Sequence, residues 1–116
     1  MVVDDSPSIC ELVRQTLQAA GYKVLIAVTA EEALQASDGC DGQIHLLLTD
    51  LILPKVGGAQ IAQAIRSRRP SIKVIFMSGH PADDERSIAA TRHGDAFMQK
   101  PFMIGTLRDR VREVLK

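Results

Sequence analysis

The chain has 116 residues, a length that suits one domain built on one core. Lysine plus arginine equals aspartate plus glutamate at 14 each, so net charge gives no reason to propose direct nucleic-acid binding or contact with an anionic membrane. Hydrophobic residues at 46% and charged residues at 24% are the ordinary balance of a soluble globular protein, and no run approaches the roughly 20 apolar residues of a membrane span.

Met1-Val-Val3 reads as a strand that stops at Asp4; it is short, and the natural strand is expected to begin upstream. Ser6-Pro7 has the form of an N-cap followed by proline at the first helical position. Ile9, Leu12, Val13, Thr16, Leu17 and Ala20 follow at helical spacing, and Gly21 ends the run. Val24 to Val28 is an apolar strand. Thr29 to Glu32 has capping-box spacing and opens a helix to about Ser37. Asp38 to Gly42 is a loop. Ile44 to Thr49 is a third strand, ending at Asp50. Pro54 and Gly57-Gly58 mark a loop, and a helix from about Ala59 to Arg68 is stopped by Pro70. Ile72 to Met77 is the fourth strand, ending at Ser78-Gly79. A weaker helix is expected near Glu85 to His93, with Gly94 as its stop. Ala96 to Met98 is a fifth strand, ending near Lys100-Pro101. The last helix places Ile104, Leu107, Val111, Val114 and Leu115 on one face.

Strand and helix alternate five times. The strands are apolar runs rather than alternating patterns, so both faces are covered, and the fold class is a parallel α/β sheet with right-handed crossovers. In such a sheet every strand ends on the same edge, where ligands bind. Asp4 and Asp5, Asp50, Ser78 and Lys100 all fall at strand ends. Three carboxylates brought together need a cation to offset them. Oxygen ligands in an open loop suit a hard divalent ion, above all Mg2+. Lys100 then serves as a point charge for a phosphoryl oxygen, and Ser78 donates a hydrogen bond to another. Asp50, alone at the central strand, is the best candidate nucleophile, since aspartate forms acyl phosphates in phosphoryl-transfer proteins.

Val2-Val-Asp-Asp5, Leu48-Thr-Asp-Leu-Ile-Leu-Pro54 with Gly57-Gly58, Met77-Ser-Gly79 and Phe97-Met-Gln-Lys-Pro-Phe102 together closely resemble the receiver domain of two-component response regulators. The resemblance covers residues 1–116 as one domain. It implies a flavodoxin-like (βα)5 doubly wound sheet of order 2-1-3-4-5. It implies that Asp50 accepts a phosphoryl group from the phosphohistidine of a histidine kinase or phosphotransfer domain. Asp5 and Asp50 would hold Mg2+, or Mn2+ in its place, with the Ile52 backbone carbonyl, and Asp4 would act through water. Lys100 would pair with Asp50 and then with the phosphoryl group, and Ser78 would bind the phosphoryl group as well. Ser78 and Phe97 would act as the switch, and the Lys100-Pro101 bond would be cis. Phosphorylation would shift the surface of the fourth helix, fifth strand and fifth helix, roughly residues 83–116, toward an output partner or attached domain. The resemblance also allows a weak homodimer. The Leu-Leu-Leu-Thr-Asp strand and the Phe-Met-Gln-Lys-Pro-Phe segment look most like receivers excised from hybrid sensor histidine kinases; a stand-alone regulator is the alternative.

Two departures matter. Ile52 is apolar two residues after Asp50, where several families carry a polar residue, and Phe97 lacks the hydroxyl of a switch tyrosine. A Mg2+-dependent phosphatase with an aspartate nucleophile would need an acid at position 52. A flavin carrier would need more stacking rings than Tyr22 and three phenylalanines. His45, His80 and His93 form no cluster, and Arg66, Arg68 and Arg69 suit a helix C-terminus rather than a nucleic-acid patch. Cys10 and Cys40 lie in no CxxC pair and read as free thiols in a reducing compartment. No basic-then-apolar leader pattern is present, and a cytoplasmic location is expected, with any membrane attachment left to a parent protein.

Overall fold

The fold was taken from a computed structural model that describes residues 1–53, 55–79, 88, 91 and 94–116. Local chemistry sets most element ends. Val2–Val3 form β1, and Ser6 then caps α1 (Pro7–Ala19) in an extended conformation, its hydroxyl accepting from the Ile9 amide at 3.4 Å. Gly21, at φ 98°, lets the α1 end close on itself: the Gly21 amide donates to the Gln18 carbonyl and the Tyr22 amide to Leu17, each at 3.0 Å. Thr29 caps α2 (Ala30–Gly39) through the Glu32 amide at 3.1 Å.

The remaining elements are β2 (Ile26–Ala27), β3 (Leu46–Asp50), α3 (Gly58–Arg68), β4 (Lys73–Ser78), β5 (Ala96–Gln99) and a C-terminal helix (Ile104–Leu115). All strand pairs are parallel, in the order β2-β1-β3-β4-β5. Val2 pairs with Ile26 on one side and Leu48 on the other, and Leu48 pairs in turn with Ile75. The strand expected over Val24 to Val28 contracts to Ile26–Ala27, because its only neighbour among the described strands, β1, offers two residues to pair with.

The sheet divides the core in two. Val3, Leu47 and Phe76 pack with Ala33 of α2 and Ile61 and Ile65 of α3. Val2, Leu48, Ile75 and Met77 pack with Cys10 and Val13 of α1 and with Leu107 and Val111 of the C-terminal helix. Ile104 departs from the expected apolar face: it opens the C-terminal helix and is 49% exposed. The arginines at the end of α3 hold neighbouring segments. Arg66 pairs with Asp95 at 2.7 Å and Arg68 with Asp38 at 2.9 Å. Arg69 donates to the carbonyls of Ser37, Cys40 and Gly42, each at 2.8 Å, and so secures the α2–β3 connection. Cys10 is a buried free thiol and Cys40 a half-buried one. The helix expected near Glu85 to His93, together with Pro54 and His80, lies outside the described residues. Among the described residues no helix is long and apolar enough to cross a membrane.

Candidate functional site

Parallel strands bring their carboxyl ends to one rim. Asp4 and Asp5 follow β1, Asp50 ends β3, Ser78 ends β4 and Lys100 follows β5. One oxygen from each of Asp4, Asp5 and Asp50 lies within 4.8 Å of the others. Asp5 is exposed, Asp4 is fully buried and Asp50 nearly so. Ser78 is buried at the end of β4, and its carbonyl accepts from the Lys100 amide at 2.7 Å, which fixes the start of the β5 exit. The Lys100-Pro101 peptide is cis, as expected.

Lys100 is the hub. Its ammonium donates to Asp4 Oδ2 at 2.6 Å and to Asp50 Oδ2 at 3.1 Å. The other Asp4 oxygen accepts from the Ser6 amide at 2.9 Å, so Asp4 has both oxygens engaged. The other Asp50 oxygen accepts from the Ile52 amide at 3.2 Å. Burial by itself would lower the Lys100 ammonium; its hydrogen bonds to Asp4 and Asp50, and the attraction of both, outweigh that and hold it above its ordinary value. Burial raises the Asp50 carboxyl above its ordinary value, against the pull of Lys100 and the Ile52 amide, and the Asp4 charge adds to the rise. The asymmetry is physical: one cation serves two acids, and the shorter bond goes to Asp4.

Sequence reasoning foresaw the meeting of Asp4, Asp5, Asp50 and Lys100. It expected Lys100 to pair with Asp50 and did not foresee the tighter partner, Asp4. It also passed over two supports. The Cys10 thiol donates to the Asp4 carbonyl at 3.3 Å, and burial pushes that thiol up to about 11, so it stays protonated. The buried Thr49 hydroxyl donates to the Asp50 carbonyl at 3.1 Å. The visible signal was a hydroxyl interrupting an apolar run directly before an acid. Phe97 is half-buried and packs against the core cluster of α2 and α3.

The parallel 2-1-3-4-5 sheet, with its acids and lysine on the carboxyl rim, is that of a flavodoxin-like α/β protein. Residues 1–112 match the family model of the response regulator receiver domain, and the chain belongs to that family. The crystal structure of the receiver domain from the hybrid histidine kinase CckA superposes with a TM-score of 0.83 at 31% identity, covering 99% of this chain and 96% of that one. Sensor kinase CckA of Brucella abortus is 29% identical over 119 residues, covering all of this chain and 12% of its own length. The alkaline phosphatase synthesis transcriptional regulatory protein PhoP of Bacillus subtilis is 27% identical over 116 residues, all of this chain and 48% of the relative. The chain thus spans half or less of these curated relatives. The protein is a receiver domain of two-component signalling, a family that binds Mg2+ at an acidic cluster and works with histidine kinases and output domains.

Proposed function

We propose that residues 1–116 form a single receiver domain in which Asp50 accepts a phosphoryl group from the phosphohistidine of a histidine kinase or phosphotransfer domain. The observation that carries this reading is the position of the Asp50 carboxylate. It stands at the end of the central strand with 12% of its side chain exposed, hydrogen-bonded to Lys100 and beside two further acids. An Asp50 oxygen attacks the phosphorus. The O–P bond forms, the P–N bond breaks, and the electron pair leaves with the imidazole nitrogen, which takes up a proton. Lys100 moves its charge toward the phosphoryl oxygens, and the Ser78 hydroxyl donates to one of them.

Three carboxylates against one ammonium leave the rim net negative, and an all-oxygen donor set of that charge fits Mg2+, or Mn2+ in its place. Asp5, Asp50 and the Ile52 backbone carbonyl would hold the ion, with Asp4 acting through water. When bound, the ion offsets the negative charge of the acids and of the entering phosphoryl group.

Ser78 and Phe97 are the proposed switch pair, linking the phosphoryl group to the surface over residues 83–116 by a shift of population. A partner or attached domain reads that surface. The likeness to the CckA receiver supports a parent hybrid sensor kinase, and a stand-alone regulator is the second reading. The missing long apolar helix among the described residues agrees with a cytoplasmic domain. Ile52 stands where an aspartate-nucleophile phosphatase would need an acid, which weighs against turnover.

Intact-protein mass after incubation with Mg2+ and a small acyl-phosphate donor tests the reading. A gain of one phosphoryl group is expected, absent in Asp50→Asn and absent without metal. No gain from that donor or from a phosphorylated histidine kinase would overturn it.

A further inference from the structure

Thr49 is out of character for its place. β3 is buried along its whole length, and the residues before Thr49 are Leu46, Leu47 and Leu48. Valine has the same shape and an equal liking for strands, without a hydroxyl to desolvate. The hydroxyl that stands there instead donates to the backbone carbonyl of the very next residue, Asp50, at 3.1 Å.

That carbonyl is confined from a second side. A Cβ placed on Gly58 would lie 2.1 Å from the Asp50 carbonyl oxygen and 2.9 Å from the Leu51 Cα, so the start of α3 rests directly on this peptide. The flanking groups hold the same stretch: the Leu51 amide donates to the Met77 carbonyl at 2.7 Å, and the Gly58 amide to the Leu51 carbonyl at 2.8 Å. One residue further on, the Ile52 amide holds Asp50 Oδ1. The tilt of the Asp50–Leu51 peptide therefore sets both the carboxylate of Asp50 and the course of the chain through Ile52.

We propose that Thr49 is a positioning residue for the reaction at Asp50: its hydroxyl fixes the Asp50–Leu51 peptide, and through it the carboxylate and the Ile52 backbone. The inference rests on Asp50 being the acceptor. Loss of the hydroxyl lets the peptide rock, and small misplacements of a reacting group are costly in rate.

The test compares Thr49→Val, Thr49→Ser, Thr49→Ala and Asp50→Asn with the unaltered chain. With acyl phosphate and saturating Mg2+, Thr49→Val is expected to phosphorylate about tenfold more slowly, and Thr49→Ser to recover most of the rate. In metal-free protein without donor, the amide resonances of Leu51, Ile52 and Gly58 are expected to shift in Thr49→Val and to return in Thr49→Ser, while the thermal midpoint stays near the original. Should Thr49→Val not fold, Thr49→Ser against Thr49→Ala makes the same comparison of hydroxyl with none. Equal rates with and without the hydroxyl, or a serine variant as slow as the valine one, would overturn the role of Thr49 while leaving Asp50 as acceptor. An unaltered chain that gains no more phosphate than Asp50→Asn would overturn both.

Discussion

Asp50 is an acid that its surroundings only half support. Its folded-state pKa lies above its unfolded value of about 3.8 because burial outweighs the help of Lys100. The stabilising contribution of such a group is present below the unfolded value and is lost as pH rises through the folded value; at neutral pH the buried charge is a net cost. Asp50→Asn without metal is therefore expected to melt a few degrees higher at pH 7, with the margin closing as the pH falls toward 3.8. Circular-dichroism melts across that range check it, and a lower midpoint at pH 7 would mean that the bond to Lys100 outweighs burial. Ile52 belongs to the same scale. The residue is 40% exposed two places after Asp50, and its side chain has no polar group to orient an attacking water. Ile52→Asn is expected to lose an Asp50-bound phosphoryl group roughly tenfold faster, well short of what a true general base supplies. Equal decay rates, followed by mass after removal of the donor, would sink that idea.

At the scale of elements, the β3–α3 connection is where the structure has least room. Gly58→Ala would drive a methyl group into the Asp50 backbone, and neither strand nor helix end can step aside cheaply. A loss of about 3 kcal/mol is expected in denaturant unfolding. Gly57→Ala is the control, because among the described residues its Cβ would meet only the Leu51 carbonyl, at an ordinary 3.8 Å. Legibility in the sequence follows the same division. Ser6-Pro7, Gly21 and Thr29 announce helix ends because caps are local: a hydroxyl reaches an amide three residues on, or a glycine takes the positive φ that lets the last turn close. The rim was legible because parallel strands leave no choice of which end their terminal residues reach. The length of β2 was not, since it depends on how much of β1 is there to pair with it. The Thr49 hydrogen bond was hidden for a similar reason: a hydroxyl's partner is decided by local backbone twist, which the order of residues does not display. The preference of Lys100 for Asp4 over Asp50 is a difference between 2.6 and 3.1 Å across the sheet, below anything a motif can resolve.

At the scale of the whole molecule, Lys100 joins the two ends of the chain. Its partners lie 96 and 50 residues earlier, and its loss leaves the fully buried Asp4 carboxylate without its cation. Lys100→Met is expected to lower the stability of the metal-free protein by about 2 kcal/mol, the scale of an unsatisfied buried charge, and Mg2+ is expected to restore most of it. Denaturant unfolding with and without Mg2+ decides; a variant as stable as the original without metal would show that Asp4 does not depend on this pairing. The two-sided core has its own consequence. Sliding β3 by one place would trade Leu47 for a leucine on either side and put Leu47 where Leu46 or Leu48 stood, so each half would still keep a leucine in its core. Burial alone is nearly blind to that error. The rim is not, because the same slip would turn the Asp50 carboxylate to the opposite face, away from Lys100. The side chains that make the folded state less comfortable therefore also serve as its alignment mark, telling a correctly threaded sheet from one that is merely well packed.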